Sequence, residues 1–174
     1  MISDCTYRAG NEKGYTLVEL ITVMAIMMVM VGLLALGTSV MFSKDAEYVA
    51  KTIDDELSEV RMLSMSKSGT FELVLHIDPS KPEENSIIIR QEGADIKTVN
   101  LKRNANLLIE YGTETADSGD IAFEFDKGNG SVKRIGGDDF SSGVCSITAT
   151  STRLTTKTAV VDLVAATGRH YVRK

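Results

Sequence analysis

One carboxylate stands alone in surroundings that otherwise carry no charge. Glu19 lies between Val18 and Leu20, and the next 24 residues, Leu20 to Ser43, contain no Asp, Glu, Lys or Arg. A lone carboxylate deep in a hydrocarbon slab costs on the order of 2.5–3.5 kcal/mol at a helix centre, and less near a helix end. Two chemistries relieve that cost. Glu19 can snorkel to the interface beside the positive end of a helix dipole, or it can pair with a cation from outside the run. Just upstream, Lys13-Gly14-Tyr15 closes a polar leader, MISDCTYRAGNEKG. A cut after Gly14 would create an ammonium on Tyr15. The same ammonium on a neighbouring copy could meet Glu19, neutralise it only in an assembly, and so set axial register.

The other reactive residue types give weaker patterns. His76 and His170 are far apart, one in a strand pattern and one in a basic tail. Cys145, between Val144 and Ser146, reads as a buried neutral thiol, and Cys5 would leave with the leader. Two cysteines make neither a disulfide framework nor a tetrahedral metal set. Glu114, Asp117 and Asp120, or Asp126 with Asn129, offer oxygens to Ca²⁺ but lack EF-hand spacing, so turn chemistry is the better reading. No nucleophile elbow, phosphate-binding loop or zinc-protease motif is present. No catalytic residue, metal site or cofactor is expected.

Charge adds one further candidate. The chain has 174 residues and a net charge of -5, so it is not a globally basic nucleic-acid binder. Residues 44–168 hold 14 Lys and Arg against 21 Asp and Glu, whereas the last six residues, RHYVRK, add Arg169, Arg173 and Lys174. A basic end on an acidic body could contact DNA phosphates, with Tyr171 stacking on a base. The alternative is a solvated terminal strand.

These residues need elements to hold them. At 43% hydrophobic the chain is too apolar for disorder. The uncharged run would make about 36 Å of helix, enough to cross a hydrocarbon core of about 30 Å. A span at about residues 20–43 is therefore expected, with the N-terminus inside because Lys13 sits at the helix mouth. The helical pattern continues through Ala46, Val49, Ile53, Leu57, Val60 and Leu63 or Ser64, spaced by three and four, which makes one apolar stripe. Asp54, Asp55, Glu56 and Glu59 lie mainly off it and read as a solvated face. Ser68-Gly69 is the expected stop, giving a helix over 15–68.

Beyond residue 69 the period changes to that of strands. TFELVLHI puts Phe71, Leu73, Leu75 and Ile77 on one face. SIIIRQ, IKTVNLK, ANLLIEYG, IAFEFD, SVKRI, VCSITAT, TAVVDLVAA and HYVRK follow. Lys127-Gly128-Asn129-Gly130 signals a hairpin, since Asn-Gly tolerates positive φ. The expected fold is α+β, a long N-terminal helix packed on an antiparallel β-sheet domain over 69–174.

KGYTLVELITVMAIMMVMVGLLALG resembles the leader junction and first helix of type IV pilins and type II secretion pseudopilins. The resemblance implies a class III leader over 1–14, cut between Gly14 and Tyr15 by a prepilin peptidase, N-methylation of Tyr15, and assembly through Glu19. Its implied partners are other pilin or pseudopilin subunits, the inner-membrane assembly machinery and the lipid bilayer. Its implied location is a single-pass inner-membrane precursor, then an extracytoplasmic fibre. LSEVRMLSMSKSG, IAFEFDKGNGSV and VVDLVAATGRHYVRK resemble GspH/FimT-type minor pilins, which share an Arg-containing helix end and a closing Thr-Gly-Arg strand pair. Some of that group bind DNA through Gly-Arg-x-Arg; here Tyr171 replaces the second Arg and the next is Arg173. The expected function is a non-enzymatic structural subunit. Its alternatives are a DNA-binding minor pilin using Arg169, Tyr171, Arg173 and Lys174, and a membrane-anchored binding domain that does not assemble.

Overall fold

The computed structural model describes residues 16–153 and 157–173, without the side chains of 34–43. Among the described residues one α-helix, α1 (Leu17–Ser66), is followed by eleven strands, with a short 3-10 turn at Pro82–Glu84 between the first two. The chain divides into two compact units between Ser39 and Val40.

In the first unit α1 begins on a local cap. The Thr16 hydroxyl accepts the Glu19 N–H at 3.2 Å, and the Thr16 carbonyl accepts the Leu20 N–H at 3.2 Å. Thr is among the residues favoured at this position because its oxygen pairs one of the four free N–H groups of a helix start. Every side chain from Leu17 to Leu33 is exposed. Among the described residues no helix is long and apolar enough to cross a membrane. The expected span over 20–43 is thus not recovered. Its described side chains stop at Leu33, and Leu20 to Leu33 covers only about 21 Å of helix against the roughly 30 Å needed. Residues 34–43 of that span lie outside the described side chains.

In the second unit the apolar stripe of α1 is the centre of the core. Ala46, Val49, Ala50, Ile53, Leu57 and Val60 are all buried to 1% exposure or less. Of the two residues expected to end the stripe, Ser64 is the buried one and Leu63 packs at the margin. The helix stops at Ser66, and Gly69 takes the left-handed φ of +107° that turns the chain into the first strand.

The strands form two antiparallel sheets. The first contains β1 (Phe71–Ile77), β2 (Ser86–Gln91), β3 (Ala94–Asn100), β6 (Gly119–Phe125), β7 (Val132–Ile135) and β8 (Asp138–Asp139), in the order β3-β2-β1-β6-β7-β8. The second contains β4 (Ala105–Tyr111), β5 (Glu114–Ala116), β9 (Val144–Ser151), β10 (Thr158–Val164) and β11 (Arg169–Arg173), in the order β11-β10-β9-β4-β5. Alternation sends Phe71, Leu73, Leu75 and Ile77 inward from β1, and Ala159, Val161 and Leu163 inward from β10. Both sets join the helix stripe in one cluster.

The acidic face of α1 is not simply solvated, as the sequence pattern suggests. Only Asp55 of the four is fully exposed. Lys97 on β3 donates to Glu56 Oε2 and Glu59 Oε2, both at 2.7 Å, and Glu56 is 8% exposed. Burial works against the Lys97 ammonium, but its bonds to Glu56 and Glu59 outweigh it, and its pKa lies above the ordinary lysine value. Arg103 reaches Asp45 at 3.2 Å and lies 5.0 Å from the Tyr48 ring centroid. The stripe is covered so widely that its flanking charges meet sheet edges.

Three separated segments converge at the end of α1. Arg61 Nε donates to the Gly130 carbonyl at 3.0 Å, and Arg61 Nη2 donates to the Thr167 carbonyl at 3.1 Å. Gly130 belongs to the β6–β7 hairpin, and Thr167 to the turn before β11. Gly168 has φ +63°, and a Cβ there would run into the Gly130 carbonyl oxygen and Arg61 Nε. Gly137 also has positive φ, +98°, but open space beside it. Gly137→Ala should therefore cost about 1 kcal/mol from the backbone alone. Gly168→Ala should cost at least about 2 kcal/mol more, from overpacking. Chemical unfolding of the two variants measures the difference; equal losses would contradict it.

Cys145 is wholly buried on β9, and burial pushes its thiol up to about 12, with the Asp162 charge adding to the effect. The reactive thiolate is therefore absent at neutral pH. In a Cys5→Ser background, maleimide at pH 8 should label no thiol in the folded protein and one in denaturant. Labelling of the folded protein at the rate of a free thiol would contradict the burial.

Candidate functional site

The residues expected to serve assembly and DNA binding fall at the two ends of the described chain. Glu19 is the third residue of α1, held by its own N–H to the Thr16 hydroxyl. That position is in the first helical turn, where the free N–H groups favour a negative side chain. The carboxylate is exposed and lies beside Leu20, Val23, Met24 and Met27 along an apolar groove of the helix surface. The Thr16-x-x-Glu19 spacing is a capping signature that sequence reasoning passed over in favour of the burial question. Gly14 and Tyr15, the expected cleavage and methylation residues, lie outside the described residues, as do Cys5 and Lys174.

At the other end the basic residues occupy an edge strand. Among the described residues β11 pairs only with β10, in the register Val164 to Arg169, Asp162 to Tyr171 and Val160 to Arg173. Arg169, Tyr171 and Arg173 alternate on its exposed side, with Tyr171 52% exposed. Their charge is partly matched. Arg173 Nε lies 3.1 Å from Asp162 Oδ2, and the other oxygen of Asp162 accepts the Ser146 hydroxyl at 2.7 Å. This face of β11 thus offers less free positive charge to a phosphate backbone than the residue count suggests.

The inward side of the same strand was not expected to matter. His170 is turned onto α1, where its Nε2 lies 2.7 Å from the Ser58 hydroxyl and 3.9 Å from Asp54 Oδ1. Asp54, Ser58 and Arg61 recur at four and three residues, one face of a helix, and that spacing was the available signal. His76, the other histidine, is 44% exposed and 2.6 Å from Asp120.

Of the oxygens considered for a cation, those of Asp126 and Asn129 are engaged in local bonds, and Asp120 is met by His76. Asp126 Oδ1 accepts the Gly128 N–H at 2.8 Å, and Asn129 Oδ1 accepts the Ser131 N–H at 2.9 Å, which is the chemistry of a turn. Among the described residues no group of three His, Cys, Asp or Glu is placed to hold a metal ion.

Comparison with known proteins identifies one segment. Residues 10–35 match the family described as the prokaryotic N-terminal methylation motif. The match contains Gly14, Tyr15 and Glu19 together with the capped start of α1. No curated protein and no solved structure matches the chain. The segment supports a type IV pilin-like protein that is processed at its N-terminus, carried on an α+β fold in which a long helix packs on antiparallel sheet.

Proposed function

We propose that this chain is a minor pilin or pseudopilin, a structural subunit without catalysis of its own, cut after Gly14 and N-methylated on Tyr15. The observation that carries this reading is the methylation motif over residues 10–35. A prepilin peptidase processes it, and other pilin subunits and the inner-membrane machinery receive it. Residues from Leu20 to about Ser43 hold the precursor in the bilayer with the leader on the cytoplasmic side. The continuous exposure of Leu17 to Leu33 supports this, because an uncovered apolar helix needs lipid or neighbouring helices around it. The GspH/FimT-like assignment is supported by Arg61, Gly130 and Thr167, which come from the three segments of that resemblance and meet at one point.

Glu19 docks one subunit on the next in this reading, by taking the Tyr15 ammonium of a neighbour. The test is Glu19→Ala in a peptidase-competent host, with sheared fibres or pseudopili probed for the subunit. Processing should proceed while incorporation falls at least about tenfold, equivalent to the loss of about 1.4 kcal/mol of docking free energy. Incorporation at the wild-type level would instead fit a membrane-anchored domain that does not assemble.

A further inference from the structure

The open edges of the two sheets are not alike. Among the described residues they are β3 and β8 in the first sheet, and β5 and β11 in the second. An edge presents unpaired backbone N–H and C=O groups to any passing strand, and proteins blunt it with short strands, bulges and lysines. β8 has two residues and β5 has three. β3 is longer, but Ile89 pairs with Lys97 and Arg90 with Asp95, so Ile96 is an extra residue that breaks its register. Lys97 is also drawn onto Glu56 and Glu59 of α1. β11 has neither bulge nor lysine, and its five residues pair with β10 without a shift.

The free side of β11 borders a cleft. Glu47, Lys51 and Asp54 of α1 form one wall, and His170, Tyr171 and Val172 of β11 form the other, around about 430 Å³. No β10 residue lines it, and its volume lies in the range of ligand sites. Strand and helix thus leave a slot in which an extended segment can bond to the β11 backbone, the mode known as β-augmentation.

The side chains select the occupant. Arg169 and Arg173 lie on one face of β11 with Tyr171 between them. Arg173 gives Nε to Asp162, yet its side chain is 63% exposed and has further N–H donors to offer. A second β11 fits badly: antiparallel pairing centred on Tyr171 would set Arg169 against Arg173 at both ends, and like charges directly opposite destabilise a sheet. Carboxylates four residues apart would meet both arginines instead. The α1 wall carries both signs, with Lys51 between Glu47 and Asp54, so occupant residues that face it are best uncharged.

We propose that the β11 edge and the flank of α1 form a groove for an extended segment of a partner protein, added as a strand beside β11, with carboxylates at positions i and i+4 set against Arg169 and Arg173. The groove shares no residue with the Glu19 contact, and it serves whether or not the chain enters a fibre.

Fluorescence anisotropy of the labelled heptapeptide TDVTVDT with the full chain in detergent micelles reads this. Both aspartates share a face with the central threonine, and the valines face α1. The peptide should bind saturably, and TKVTVKT should bind at least about tenfold more weakly. Arg169→Glu should weaken TDVTVDT about tenfold as well, and either TKVTVDT or TDVTVKT should regain most of that loss. N-methyl groups on the valine amides and on the aspartate amides block opposite edges of the peptide. One set should abolish binding and the other leave it within about twofold, which charge attraction alone does not predict. Shielding of Cys145 from maleimide, in a Cys5→Ser background, reports whether Arg169→Glu is folded. If it is not, the wild type with the methylated peptides decides the matter. No binding of TDVTVDT, equal loss from both methylation patterns, or equal affinity for TKVTVKT overturns the proposal. Displacement of the peptide by a lower concentration of oligothymidylate also overturns it, in favour of a nucleic-acid surface.

Discussion

A single helix face covered by both sheets is the constraint on which the second unit depends. Ala46, Val49, Ala50, Ile53, Leu57 and Val60 are each buried to 1% or less, and residues from both sheets join them in one cluster. Full burial of a Val, Leu or Ile contributes roughly 1.5–3 kcal/mol. The exposed and half-exposed ion pairs around the stripe contribute about 0–1 kcal/mol each. The stripe therefore supplies the stability. Polar contacts along its flanks fix how the sheets sit on it.

Those flanks explain why so many charges of an acidic helix are engaged. β3 is tied to one flank through Lys97 with Glu56 and Glu59, and β11 to another through His170 and Ser58. Arg61 closes the far end by holding two carbonyls from different hairpins. These groups are specific to geometry in a way that the apolar stripe is not, because each links one position of the helix to one backbone or side-chain atom. The terminal strand depends most on them, having a single strand neighbour among the described residues. It is also where the unsatisfied oxygen of Asp54 lies.

Periodicity made much of this architecture legible. The spacing of three and four from Ala46 to Val60 marks the buried stripe, and alternation marks the faces of β1 and β10. Asn129-Gly130 marks the β6–β7 hairpin, whose Gly130 takes positive φ. The short strands β5 and β8 have too few residues to show a period. Glu56 and His170 were misjudged for one reason: a charged residue off the apolar stripe reads as solvated unless the partner's position is known. Lys97 lies 41 residues from Glu56, and His170 lies 112 from Ser58, so no local pattern records either pairing. Glu19 was legible as an exception to an apolar run. Its place in the first turn, capped by Thr16, became clear only from the backbone.

The two units call for different surroundings. The β-rich unit buries its own core, whereas the described part of the first unit buries none of its side chains, and the methylation motif lies there. A helix that leaves Leu17 76% exposed is an element awaiting neighbours, and processing at its start is what would release it to them. Intact-mass analysis of the mature protein, purified from a peptidase-competent host, tests this most directly. The account predicts a chain that has lost residues 1–14 and begins at Tyr15, one methylene heavier than the cut chain itself. A mature protein that still begins at Met1 would contradict it.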